Sequence, residues 1–283
     1  VWSETEKYAL VQKFGGPCCI LAPLQAYIIL ILKELEVHDF RGQRNEQGSS
    51  RSPVTIPAND NPRTRTGPTR KSVFFKSLHK IFLYILDANN SDPMPVTVSI
   101  CTSISTGKYS NITLKILKEI ESKDVNAHEK VILNNWYHDL QHGEGILLLM
   151  YSLVATKGSR NISSEMGIMS EYPQLIEPNN GHGEQAFVNL LLTGYATCHT
   201  FDGIRDLSEG LLLEGIHNRS AIGFLTIHEH FRLIEVGSNL KNPIYPIWIV
   251  ASESHYTCCW TNFKIAKNLQ ESNRNKYKKV LIQ

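Results

Sequence analysis

No run of apolar residues in this sequence reaches the ~20 that a helix crossing a bilayer needs. The two longest are Ile146 to Ala155 and Ile20 to Leu32, the second interrupted by Pro23 and Gln25, so no association with a membrane is expected. Net charge is equally scarce. The 29 Lys and Arg against 27 Asp and Glu leave +2 over 283 residues, too little to attract nucleic acid by bulk electrostatics, and no basic-aromatic recognition motif compensates. The first twelve residues carry Glu4, Glu6 and Lys7 and lack the order of a signal peptide. The start without Met predicts a fragment. The six cysteines form no C-x-x-C, and Cys18-Cys19 and Cys258-Cys259 are vicinal, a poor arrangement for disulfides. A reducing, intracellular setting is expected, the cytoplasm and with it the nucleus.

Other absences remove classes of chemistry. His228-Glu229-His230 is not H-E-x-x-H, and read as a strand it brings two His together only by accident, so neither a metal nor any other cofactor is expected. Gly143-Glu144-Gly145 and Gly181-His182-Gly183 lack the strand, spacing and Lys of a nucleotide loop and read as turns. Gly-x-Ser-x-Gly is absent. No internal repeat and no heptad pattern is present.

What is there is a globular composition, 42% hydrophobic and 20% charged, neither disordered nor fibrous. Leu24, Ile28, Ile31 and Leu35 fall at helical spacing after Gly15-Gly16-Pro17, which predicts a buried helix beginning at Cys18. Phe74, Leu78, Ile81 and Ile85 mark a second helical face, Ile146 to Ala155 a fully buried helix, and Glu184 to Thr193 a helix ended by Gly194. Val96, Val98 and Ile100 alternate as in a strand, and Phe231 to Val236 reads as extended. Pro246 to Ala251 and His255 to Trp260 read as a strand pair with His255 near the bend. The class is α+β, a single domain over residues 1–283. Between Arg41 and Lys71 seven basic residues, four prolines and few large apolar residues predict a disordered insertion. The basic stretch 262–283 reads as a solvated tail.

One arrangement carries chemistry. A thiol at the first turn of a buried helix meets the positive end of the helix dipole and unpaired amides, which favour thiolate. That is the position of Cys18, although a small residue packed at a helix start has the same description. Gly15 and Gly16 would let a substrate backbone approach. Gln12, six residues upstream, could donate to an oxyanion, and His255 could act as base and then as acid.

The residues themselves add a resemblance. Val-Gln-x-x-Gly-Gly-Pro-Cys-x-Ile-Leu-Ala-Pro-Leu-Gln-Ala, at Val11 to Ala26, closely resembles the catalytic segment of the MINDY deubiquitinases, in the branch of the third and fourth members. Ser105 to Tyr109, Val188 to Gly194, Ile222 to Leu225, and Pro246 to Val250 leading into Ser252-Glu253-Ser254-His255 resemble that branch in the same order. The resemblance implies a papain-like cysteine protease variant without cofactors. In it Cys18 is the nucleophile, His255 the general base and Gln12 the oxyanion donor. The implied reaction is isopeptide hydrolysis through a thioester acyl-enzyme. The implied partners are ubiquitin and polyubiquitin chains, preferentially lysine-48-linked, met by a monomer. Three departures stand out: Cys19 replaces a small Gly or Ala, the insertion 41–71 has no counterpart, and the chain ends before a C-terminal segment of the family. The group orienting His255 is left open between Thr257, Asn262 and Glu253. Glu253 and Glu184 could make a cleft partly acidic for a ubiquitin tail. Two rivals remain: a ubiquitin-binding pseudoenzyme of the same fold, and a papain-like protease of ordinary peptides.

Overall fold

The computed structural model describes residues 2–12, 18–45, 67–88, 97–106, 112–121, 129, 144–167, 174–208, 210–253 and 255–261. Helix α1 (Cys18–Asn45) begins where the Gly-Gly-Pro signal puts it. Ile20, Leu24, Tyr27, Ile28 and Leu30 are all at most 1% exposed, so apolar side chains surround the axis and the helix must run through the core. Pro23 sits inside it. Having no N–H, it leaves the Cys19 carbonyl without an intrahelical donor. Cys18–Leu35 is long and apolar enough, by length and composition, to cross a membrane, yet about two-thirds of it is buried within the fold.

Helix α2 (Arg70–Asp87) opens at Thr69, whose hydroxyl accepts from the Ser72 amide at 3.2 Å. It buries Phe74, Leu78, Ile81 and Ile85 against α1, the face the spacing predicts. The expected insertion 41–71 lies for most of its length, 46–66, outside the described residues. Its ends are regular: 41–45 continue α1, and Arg70 and Lys71 begin α2. Strands β1 (Thr97–Thr106) and β2 (Ile112–Glu121) pair antiparallel with two register shifts, and β1 packs on α3 (Glu144–Lys157). Helix α3 is not buried all round. Leu148, Leu149 and Leu153 are buried, whereas Leu147 is 44% exposed. Helix α4 (Ser159–Met166) follows, and the fully buried Lys157 ammonium lies 2.6 Å from the Glu165 carboxylate.

Helix α5 (Gln185–Thr193) packs on α1 and α2 and ends at Gly194. Two needs select glycine there: φ is +80°, and a Cβ would stand 2.2 Å from the Tyr84 carbonyl. Tyr27 donates to the Leu191 carbonyl at 2.9 Å and ties α1 to α5. After an exposed hairpin of β3 (Ile204–Asp206) and β4 (Leu212–Glu214), a three-stranded sheet forms. Its order is β5 (Gly223–Thr226), β6 (Ile247–Ala251), β7 (Tyr256–Trp260), with β5 parallel and β7 antiparallel to the central β6. Two expectations fail between β5 and β6. His228-Glu229-His230 belongs to a helical turn, α6 (Ile227–His230), not a strand. Phe231 to Val236 is a turn: the Arg232 amide bonds back to the Glu229 carbonyl and the Leu233 amide to the His228 carbonyl. A short helix α7 (Ser238–Lys241) then leads to β6. The tail 262–283 lies outside the described residues.

Candidate active site

Cys18 is the first residue of α1, at the end where the leading amides have no intrahelical acceptor. It is 9% exposed, and Cys19 is wholly buried. Burial first, and then the neighbouring Cys18, push the Cys19 thiol up to about 12. Two vicinal thiols are therefore set apart by their surroundings, and Cys19 is held as the neutral, packed one.

A turn closes over this end of the helix. Gly183 pairs with Ile176, the Gly181 amide donates to the Glu177 carbonyl, and the Glu184 amide donates to the Leu175 carbonyl. A Cβ on Gly183 would lie 2.0 Å from the Cys19 sulfur, so only glycine lets the turn rest there. The turn itself is at 178–180; Gly181 closes it on Glu177, and His182 and Gly183 run on into the bridge with Ile176, so the expected turn at Gly181-His182-Gly183 is right only in part. That expectation missed the tertiary neighbour, for which the sequence carries no local signal.

Strand β7 reaches the same place. The α1-facing side of the sheet carries Ile247, Ile249 and Ala251 of β6, paired with Trp260, Cys258 and Tyr256 of β7. Tyr256 donates to the Gly183 carbonyl at 3.2 Å. Its phenol is pushed up to about 12 by burial and then by Cys19, Cys18 and Glu184 nearby. The start of β7 is thus beside the two thiols. His255 precedes Tyr256 at the bend, where its carbonyl accepts from the Ser252 amide at 2.9 Å and the Ser252 hydroxyl at 3.1 Å. Tyr256 takes the α1-facing position in β7, and His255, just before the strand, has an exposed side chain. Among the described residues no hydrogen bond or ion pair joins the His255 ring to Cys18.

Gln12 is exposed and follows a segment held close to α1. The Gln25 side chain accepts from the Leu10 amide at 2.7 Å and donates to the Tyr8 carbonyl at 3.2 Å. Gln25 entered the sequence reading as a break in an apolar run and as one residue of the segment that resembles the family, without a role of its own. Glu253 is exposed at the β6–β7 bend, and Thr257 is exposed with its hydroxyl 3.4 Å from the Val250 carbonyl. Glu184 is exposed at the start of α5, near Tyr256 and Cys198. Gly15, Gly16 and Asn262 lie outside the described residues. Among the described residues no group of three His, Cys, Asp or Glu side chains could hold a metal ion. A cavity of about 250 Å³ between the end of α2 and residues 215–220 is lined by none of these groups.

The model of a family described as "Deubiquitinating enzyme MINDY-3/4, conserved domain" matches residues 2–277. A zebrafish (Danio rerio) protein named ubiquitin carboxyl-terminal hydrolase MINDY-3 is 32% identical over 268 residues, 92% of this chain and 58% of that protein. A bovine (Bos taurus) protein of the same name is 34% identical over 282 residues, 91% of this chain and 58% of that protein. A bovine protein named probable ubiquitin carboxyl-terminal hydrolase MINDY-4 is 29% identical over 268 residues, 90% of this chain and 31% of that protein. The chain therefore spans less than two-thirds of these relatives. No solved structure matches it. With Cys18 at the head of α1, the start of β7 beside it and the family's own domain matched from residue 2 to residue 277, the chain belongs to the MINDY-3/4 family.

Proposed function

We propose that this chain is a thiol-dependent deubiquitinase that hydrolyses isopeptide bonds in polyubiquitin, lysine-48-linked chains preferentially, with a papain-like disposition of its catalytic groups. The observation that carries the reading is the division of labour between the vicinal thiols. Cys19 is buried with its thiol pushed up to about 12, which leaves Cys18, at the head of α1 where the leading amides have no intrahelical acceptor, as the nucleophile. The names of the MINDY-3 relatives support the substrate class.

In this reading the Cys18 thiolate attacks the isopeptide carbonyl. Gln12 and a backbone amide of the first turn donate to the oxyanion. His255 takes the proton of the Cys18 thiol and gives it to the lysine amine as the C–N bond breaks; it then takes a proton from the water that attacks the thioester and returns it to the departing Cys18 sulfur. A ubiquitin tail ends in two glycines, so a narrow cleft suffices. Gly15, Gly16 and Glu253 are its proposed walls. The nucleophile needs a reducing compartment, and one monomer supplies all three groups.

One observation favours a second reading, a ubiquitin-binding chain without turnover: the His255 side chain is exposed, and among the described residues no hydrogen bond or ion pair joins its ring to Cys18. Incubation with linkage-defined ubiquitin chains separates the two. Cleavage that disappears in Cys18→Ala and in His255→Ala, with chain binding kept in both, is the expected result. Binding without cleavage by the unaltered chain overturns it in favour of the second reading.

A further inference from the structure

We propose that Gln25 is a positioning residue for Gln12, an assignment that rests on the deubiquitinase reading above. Gln25 lies seven residues after Cys18 on α1. At 3.6 residues per turn and 1.5 Å per residue it stands about 10 Å further along the axis and only ~20° around it, so both side chains occupy the same face. From that face its carboxamide grips the incoming segment with both ends: Oε1 accepts from the Leu10 amide at 2.7 Å, and Nε2 donates to the Tyr8 carbonyl at 3.2 Å. Gln12 follows Leu10 by two residues, a reach of at most ~7 Å. The fixed point from which Gln12 extends is therefore a side chain of the helix that carries the nucleophile.

The rest of the segment is built to be held. It closes on itself through the Trp2–Leu10 bridge and the Ser3 amide on the Ala9 carbonyl at 2.7 Å. Arg70 at the start of α2 donates to the Lys7 carbonyl at 2.6 Å and to the Ser3 carbonyl at 3.0 Å, with its guanidinium over the Trp2 ring. Tyr8 donates to the Pro68 carbonyl. Arg70 and Pro68 secure the segment to α2, whereas Gln25 registers it against α1. An oxyanion donor displaced by 1 Å loses most of its effect, so register along α1 is what the reaction needs from this contact. No other uncharged side chain of the same length both accepts and donates: leucine does neither, and glutamate keeps only the acceptor.

The test is a double-mutant cycle on ubiquitin-chain cleavage, with kcat, KM and melting temperature measured for the unaltered chain, Gln12→Ala, Gln25→Leu and the double variant. Gln12→Ala is expected to lower kcat by ~10²- to 10³-fold. Gln25→Leu is expected to lower it by about 10-fold with KM within twofold. The double variant should be no slower than Gln12→Ala alone, because the donor being positioned is already gone. Losses that multiply in the double variant, or a Gln25→Leu whose kcat is unchanged, overturn the assignment. If Gln25→Leu does not fold, Gln25→Glu replaces it, and its kcat should again be lost only when Gln12 is present. A Gln12→Ala with unaltered kcat would instead defeat the oxyanion reading itself, so the two failures are told apart.

Discussion

Cys19 and Gly183 meet at a contact that tolerates no added atom. The Cys19 side chain is fully buried, and a Cβ on Gly183 would stand 2.0 Å from its sulfur and 2.4 Å from its Cβ. Neither atom belongs to a flexible side-chain end, so the turn or the helix must move. Gly183→Ala is expected to destabilise the fold by about 1–3 kcal/mol, in the range of overpacked cores, and to slow labelling of Cys18 by a ubiquitin probe with a C-terminal electrophile. Urea denaturation with parallel labelling would check both, and an unchanged midpoint would mean that the turn does not rest on Cys19 in solution. In contrast, Cys19→Ala removes one buried atom and should cost only about 1 kcal/mol. Because its thiol is pushed up to about 12, the pH dependence of alkylation below pH 10 should survive that substitution. Loss of labelling in Cys19→Ala would reverse the assignment of the two thiols.

At the scale of elements, β7 is what joins the segment 181–184 to the head of α1. The Tyr256 hydroxyl reaches the Gly183 carbonyl, and with its ionisation displaced to about 12 it stays a donor at every working pH. Tyr256→Phe removes that one bond and should cost about 1 kcal/mol. Labelling of Cys18 should slow while chain binding holds. Equal stability by urea denaturation would show the bond to be incidental.

Much of this scaffold was legible in the sequence, where a pattern and its cause lie in the same stretch of chain. Gly15-Gly16-Pro17 fixed the start of α1, Gly194 the end of α5, and alternation the pairing of β6 with β7. Phe231 to Val236 was misread for a physical reason. Its apolar side chains Phe231, Leu233 and Ile234 are exposed, and among the described residues the segment has no partner strand, so alternation alone could not make it extended. Gln25 was illegible because its partners, Tyr8 and Leu10, are brought to it by tertiary structure. The same holds for His255: the pattern puts it at a bend, but only the β6–β7 register shows that Tyr256 takes the inward position.

Across the whole molecule, neutral thiols and phenols line the body around α1. Cys19 and Cys258 are pushed from 9.0 to about 12 mainly by burial, Cys258 also by Cys259, and Tyr256 from 10.0 to about 12. Tyr27, wholly buried between α1 and α5, is pushed the same way by burial and then by Tyr84. The consequence for stability has a definite sign. Well below pH 9 these groups are protonated in both states and contribute nothing to pH dependence. Above it the unfolded chain releases protons that the folded chain keeps, so stability falls from about pH 9 towards 12. The melting temperature, measured under reducing conditions from pH 7 to 11, should be flat to about 9 and then decline steeply. Removing two of the titrating thiols in Cys19→Ala/Cys258→Ala should make the decline shallower, leaving Cys198, Cys259 and the phenols, all raised in the fold, to carry what remains. A decline of unchanged slope in that double variant would show that other groups, not the packed thiols, set the alkaline limit of the fold.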